Sequence, residues 1–263
     1  MTFAPPLALA LALAAGFADS DVWDDGKAEV STYDAERVIY GRPRKHEARL
    51  IVVKEDHEAG RWIKADPPYG DREIVPVLKL NHVRTVPTEN YDYHLMTSAF
   101  VLRADPTRAP RVTTSSQEWC GATHQTLVEG TLRWSSYFDA EGDGERAVGL
   151  RPGDLVRDAL PLQLRALPFA PGFERDVRVL DLLSGNRAGG QRVREGVVRV
   201  TGEETVETGE GPIPSWKVEL TVDGAVDRLW FAKGRAHVLT RLAAADGRTL
   251  LLREHRRHAY WER

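Results

Sequence analysis

The chain has 263 residues, of which 42% are hydrophobic and 29% charged, with a net charge of -3 and an isoelectric point near 6.3. That balance disfavours a disordered chain and a global cationic field for nucleic acid, and the length suits one large β-rich domain. The single cysteine, Cys120, leaves no internal disulfide to form.

Residues 1–18, "MTFAPPLALALALAAGFA", carry no charge and hold an apolar run from Leu7 to Phe17. The run is too short for a membrane-spanning helix but suits the core of a secretory signal, with small residues at Gly16 and Ala18 before a cut. Residues 1–18 are therefore predicted to be a signal peptide, although no Lys or Arg precedes the run. Residues 19–263 then form a single β-rich domain in the periplasm or another extracytoplasmic space. No cysteine stands beside the run for lipidation, and no later stretch is apolar enough to cross a membrane.

From Gly26 the dominant period is two. "KAEVSTYDAERVIYG", "EARLIVVKED" and "IVPVLKLNHV" read as strands, the last with Val75, Val77 and Lys79 on one face and Leu78 and Leu80 on the other. "YDYHLMTSAFVL" and "RVTTSSQEWCGATHQTLVEG" follow, divided by the proline-broken "RADPTRAP", and then a hairpin tipped by Gly142-Asp143-Gly144. In "PGDLVRDALPLQLRAL" the apolar residues take helical spacing, which predicts one bent helix capped by Asp154 and kinked at Pro161. Pro168 and Pro171 mark a possible sub-boundary near 168–172. Period two then returns to the end, with hairpin signals at residues 223–224, 233–234 and 246–247. About eleven to thirteen strands with one helix predict a mainly β fold. Twist must curl so many strands, giving a large antiparallel curled sheet or open half barrel with the helix on its concave face.

Several blocks of the first part, "WDDGKAEVSTYDAERVIYGRPR" (Trp23 to Arg44), "VPVLKLN", "NYDYHLMTSAF", "SSQEWCG" and "SSYFDAEGD", resemble a family of uncharacterised exported bacterial proteins. Some of its members carry a "septum formation inhibitor" label. The enzymes behind that label are cytosolic nucleotide pyrophosphatases, whose motif and α/β pattern do not occur here, so the resemblance implies export and no activity. The later block "SWKVELTVDGAVDRLWFAKGRAHVLTRLAAADGRTLLLRE" is similar in rhythm to periplasmic domains of unknown function whose curled sheet resembles the lipoprotein-carrier half barrel.

The chemistry-bearing residues support two kinds of reading. On a strand, Thr114, Ser116, Glu118 and Cys120 share a face and Trp119 packs on the other; with His124 this outlines a thiol constellation, Cys120, Glu118 and His124, for a hydrolase or transferase. No known nucleophile context surrounds Cys120, so an inert cysteine is the simpler expectation. A buried Glu118 needs a cation, for which Lys79, Arg37 and Arg44 are the candidates. The same residues with Trp119 (Lys79, Glu118, Trp119, Arg37 and Arg44) form the expected ligand-binding set. The eight histidines show no ligand spacing, and no phosphate loop, Gly-x-Ser-x-Gly elbow or dinucleotide fingerprint occurs, so no metal or cofactor is implied. The basic runs at Arg42–Arg49 and Arg253–His258 read as solvated strand edges or as contacts for anionic head groups. The expectation is a non-catalytic protein of the cell envelope that binds a lipid, a lipid-linked glycan or another amphipathic ligand in its curled sheet. A thiol enzyme is the first alternative, and a structural or assembly factor contacting only envelope proteins the second.

Overall fold

A computed structural model describes residues 16–234 and 236–262. The apolar run of the expected signal lies outside the described residues except for its last positions. Of these, Phe17 and Ala18 are buried: Trp23 Nε1 donates to the Phe17 carbonyl at 2.8 Å and Arg103 Nε to the Ala18 carbonyl at 2.9 Å. A cut after Ala18 would take both residues out of this packing and leave the Trp23 indole without that acceptor.

The strands, in chain order, are β1 (Ala28–Ile39), β2 (Arg42–Glu58), β3 (Ile63–Lys64), β4 (Ile74–Pro87), β5 (Asp92–Leu102), β6 (Arg111–Glu118), β7 (Gly121–Val128), β8 (Thr131–Ser136) and β9 (Asp143–Ala147). β10 (Leu155–Val156) precedes the crossover, and after it come β11 (Glu174–Leu180), β12 (Val193–Thr208), β13 (Gly211–Val222), β14 (Ala225–Ala232), β15 (Leu239–Ala243) and β16 (Thr249–His258). All sixteen lie in one sheet, in the order β10-β11-β12-β13-β14-β15-β16-β1-β2-β4-β5-β6-β7-β8-β9 with β3 beside β2. Among the described residues the only parallel pair is β10 with β11. The last strand therefore seals against the first, Ala28 opposite His258, and two antiparallel wings extend from that seam.

Tight turns set the register of the wings. Tyr40 and Gly41 both take positive φ (54° and 70°), as do Asp223 and Gly224 (49° and 79°). Two such residues in succession give the turn whose twist matches that of paired strands, which fixes which side chains lie opposite each other.

From β9, residues 148–154 lead to β10, and the chain then crosses the concave side before it re-enters the sheet at β11. The crossing segment is helical in mixed pitch: 3-10 turns at Arg157–Ala159 and Leu164–Ala166 flank a single α-helix, α1 (Leu160–Gln163). Every residue from Asp158 to Leu167 is buried. A helix covered all round belongs inside a core, and Leu160, Leu162 and Leu164 pack in one cluster with Leu50, Leu78, Leu220 and Phe231 of the inner sheet face. Two details of the expected helix are corrected. Pro161 stands in the first turn of α1, where its missing N–H is no loss, and does not kink an interior. Asp154 does not cap the helix but accepts from the Arg151 N–H at 2.7 Å and pairs with Arg178 at 3.2 Å.

The curled sheet stays open. No ladder joins its two edges; side chains bridge them instead, with Arg146 Nε donating to the Gly189 carbonyl at 3.1 Å and Arg178 Nη2 to the Gly149 carbonyl at 3.0 Å. Trp134 fills the seam between Gly144 and Gly189, where a Cβ at either position would collide with its indole.

Arg165 anchors the plug to the sheet. It is fully buried and makes a bidentate pair with Glu29 of β1 at 2.8 and 3.0 Å, while its Nε donates to the Pro161 carbonyl at 3.0 Å. Arg165→Met strands the Glu29 charge in the core and is expected to cost about 3–5 kcal/mol in unfolding free energy by denaturant titration. The double variant Glu29→Gln/Arg165→Met removes both charges and is expected to recover most of that loss.

Candidate functional site

At the end of the trough where β1 turns into β2, the inner face changes from apolar to basic. Glu29, Ser31, Tyr33 and Ala35 are buried along β1, and the same side of the strand reaches Arg37. The tight turn at Tyr40-Gly41 puts Arg44 of β2 directly opposite Arg37. His46 follows on β2, and His82 and Arg84 occupy the same inner face of β4 beyond Leu78 and Leu80.

Most charges around this end are paired. Arg44 and Arg42 hold Glu89 at 2.7 and 3.0 Å, Arg248 holds Asp246 at 2.7 Å, and Arg157 holds Asp227. Arg37 and Arg84 have no carboxylate within ion-pair distance among the described residues. Arg84 is only 4% exposed and donates to Thr97 Oγ1 at 3.0 Å and to Ser184 Oγ at 3.4 Å. Its Nε, the Nε and Nη1 of Arg37, and His82 Nε2 are buried without a hydrogen-bond partner. The nearby Asp158 carboxylate is already engaged, accepting from the Leu183 and Ser184 N–H groups at 2.6 and 3.1 Å.

Arg37, His82 and Arg84 line a small, partly open cavity of about 40 Å³. Burial, reinforced by the charge of Arg37, lowers the Arg84 guanidinium to about 9, which leaves it charged at neutral pH. Burial also lowers Arg37. It holds the His82 imidazole well below its usual value and lowers His46, so both rings are neutral where the arginines are charged.

Arg37 also lines a second hollow, an open groove of about 260 Å³ shared with Tyr40, Tyr93, Leu95, Ser116 and Arg187. Tyr40 Oη lies 2.8 Å from Tyr91 Oη and 2.6 Å from Tyr93 Oη, and Trp119 stacks on Tyr91 with ring centroids 5.7 Å apart. The hydrogen bond to Tyr40 and burial raise Tyr91 to about 12, so its phenol stays neutral. Ser116 Oγ is buried there without a partner.

The stretch "SSQEWCG" forms the neighbouring hairpin. β6 ends at Glu118 and β7 begins at Gly121, so Trp119 and Cys120 are the two turn residues rather than strand positions. Trp119 is therefore 80% exposed instead of packed in a layer. Glu118 is buried and caps the turn, its Oε2 accepting from the Cys120 N–H at 2.6 Å. That carboxylate pushes the exposed Cys120 thiol above its usual value, the opposite of what a nucleophile needs. His124 lies exposed on the outer face of β7, with its Nε2 3.2 Å from Thr126 Oγ1. The expected pair of Glu118 with Lys79 does not form. Lys79 has the opposite parity to Leu78 and Leu80, faces the convex side and pairs with Glu55, which His57 also approaches at 3.3 Å. Of the expected binding residues, Arg37 and Arg44 meet at the basic end, Trp119 stands at the rim, and Lys79 is on the far side of the sheet. Arg84, Tyr40, Tyr91 and Tyr93 were not anticipated. The parity of "LKLNHVR" puts Arg84 on the Leu80 face, and that was the available signal.

Among the described residues no group of three or more His, Cys, Asp or Glu gathers as a metal site, and no helix is long and apolar enough to cross a membrane. Residues 123–253 match the model of the DUF3108 family, proteins of unknown function. No curated protein and no solved structure matches the chain. The matched part carries the plug, Ser184 and Arg248, whereas Arg37, His82 and Arg84 precede it.

Two measurements check this electrostatic picture. Alkylation of Cys120 at about pH 8 is expected to speed up in Glu118→Gln, because the carboxylate that disfavours the thiolate is gone; an unchanged rate would show that Glu118 does not act on the thiol. The unfolded chain protonates His46 and His82 near 6.5, while the folded chain resists until lower pH. Stability is thus complete above that value and falls as pH drops through it, by up to about 1.4 kcal/mol per pH unit for each such histidine. Denaturant titrations between about pH 7 and 5.5 are expected to show the fall, and His82→Gln to flatten it.

Proposed function

We propose that this is a non-catalytic binding protein of the cell envelope that holds an amphipathic ligand, a lipid or a lipid-linked glycan, by its head group at the basic end of the trough. The observation that carries the reading is the junction at Arg37, where an open groove rimmed by Tyr40 and Tyr93 meets a small cavity with buried, unpartnered donors. Such convergence of a few polar groups within an apolar and aromatic wall is what small-ligand sites share. The trough itself offers a chain-like ligand no room, because residues 158–167 fill it. The apolar part of the ligand stays outside, against exposed tips such as Tyr40 and Trp119 (66% and 80% exposed). Tyrosine and tryptophan suit that position, having an apolar body and a polar edge. Extracytoplasmic location rests on the apolar run ending at Phe17.

The thiol-enzyme reading has less support, since Cys120 is raised and His124 lies on the other face. The exposed rim does favour a second reading, a surface for a protein partner in the envelope. Organic extraction of protein purified from its native host, read by mass spectrometry, is expected to release an amphipathic species with an acidic head. Tyr40→Ala/Trp119→Ala should carry less of it. Extracts indistinguishable from a blank would overturn the ligand reading and leave the partner surface.

A further inference from the structure

The basic cavity has an electrostatic problem that its own residues do not solve. A guanidinium taken out of water needs a counter-charge, and leaving one unpaired costs several kcal/mol. Arg84 is such a group, and the half-buried Arg37, whose Nε and Nη1 are shielded from water, shares its small space. Arg37 feels the carboxylates of Asp246 and Asp158, and Arg84 that of Asp158, but neither acid is within ion-pair distance of them: Asp246 is held by Arg248, and Asp158 already caps two backbone N–H groups. The other acid on the wall, Glu36, makes no ion pair with them among the described residues and alternates with Arg37 along β1. The cavity is therefore left with a positive excess.

Its hydrogen-bonding capacity is one-sided too. The unpartnered atoms on Arg37 and Arg84 are all donors, because a guanidinium has no acceptor. His82 Nε2 joins them as a donor in the matching tautomer. Water satisfies donors but not charge, so the group that completes the site must be an acceptor-only anion.

We propose that the cavity is an oxyanion subsite that takes the phosphoryl group of a ligand, with Arg37 and Arg84 as its ligating residues and His82 beside them. Shape favours phosphoryl over carboxylate. Three donor side chains on two strands, Arg37 of β1 and His82 and Arg84 of β4, line the cavity, which suits a group with three terminal oxygens better than a carboxylate with two. The volume of about 40 Å³ has room for roughly three water-sized oxygens, the number on a phosphoryl group. Arg37 borders both the cavity and the surface groove, so the rest of the phosphorylated molecule extends outward past Tyr40 and Tyr93.

This deepens the binding reading above and shares its groove, yet it is tested separately, on dialysed full-length protein with added anions. Inorganic phosphate, titrated calorimetrically at constant ionic strength in chloride, is expected to bind saturably with one site per chain and to raise the melting temperature. Arg84→Met and Arg37→Lys should each weaken binding by about tenfold or more, as expected for a lost charged hydrogen bond. Arg42→Met, at an exposed arginine outside the cavity, should leave it unchanged. Should Arg84→Met not fold, Arg37→Lys and the phosphate-dependent melting shift of the wild type still decide the matter. Two further probes identify the source: tighter binding of a hexose 6-phosphate points to a soluble sugar phosphate, and tighter binding of a short-chain phosphatidic acid to a lipid head. Either upholds the site. Absence of saturable phosphate binding, acetate binding as tightly as phosphate, or indifference to both arginine changes would overturn it. In each of those cases the native-host extraction remains an independent test of the broader reading.

Discussion

The architecture depends on one buried ion pair. Arg165 is the sole charged side chain in the run from Ala159 to Leu167, and it sits within the core with its partner Glu29, which is 1% exposed. Neither charge tolerates that position alone, so the plug can dock only where the two forks meet. Docking there sets which face of the segment meets β1 and leads its other end, Arg157 and Asp158, to the basic end of the trough. The pair contributes less to net stability than to uniqueness of arrangement, because an apolar plug of the same volume could slide along an apolar trough.

This constraint explains why the sheet does not have to close. Removing exposed strand edges normally requires a complete barrel. Here residues 148–154 link the edge strand β9 directly to the other edge, β10, from which the plug runs on to β11, and Arg146, Arg178 and Trp134 cover what the ladder leaves unpaired. The interior is filled by the chain's own crossover, so the curvature that in an empty half barrel would create a ligand cavity instead creates a core.

Much of this was legible in the sequence, and the part that was not has a physical reason. Period-two alternation reveals strands, and Asp223-Gly224 announces its own turn, because these are local properties. Alternation also separates Lys79 from Leu78 and Leu80. What it does not reveal is which face points inward when both carry charge, so Lys79 was open to pairing with Glu118 although the sheet lies between them. Cys120 was placed on a strand because a two-residue turn of Trp and Cys lacks the Asn-Gly or Asp-Gly signature, and Gly121 was its only mark. The pairing of Glu29 with Arg165 spans 136 positions and depends on the path of the whole wing. Even so, a lone arginine among leucines in "LPLQLRALP" and a glutamate on the Tyr33 face of β1 were each anomalies that called for a partner.

The filled trough also bears on how the proposed ligand would engage. For a long apolar chain to enter, the plug would have to leave, exposing Leu160, Leu162 and Leu164 at about 1.5–3 kcal/mol each and separating Arg165 from Glu29 at about 3–5 kcal/mol more. A chain of about fourteen methylenes returns about 11 kcal/mol on burial, at about 0.8 kcal/mol each, which roughly cancels that cost and leaves almost nothing for affinity. In the proposed mode, engagement by the head at the basic end would move no core residue and would supply the counter-charge that Arg37 and Arg84 lack. Of the two routes, only the second gains from the structure as it stands, and the tyrosine-rimmed groove lies along it.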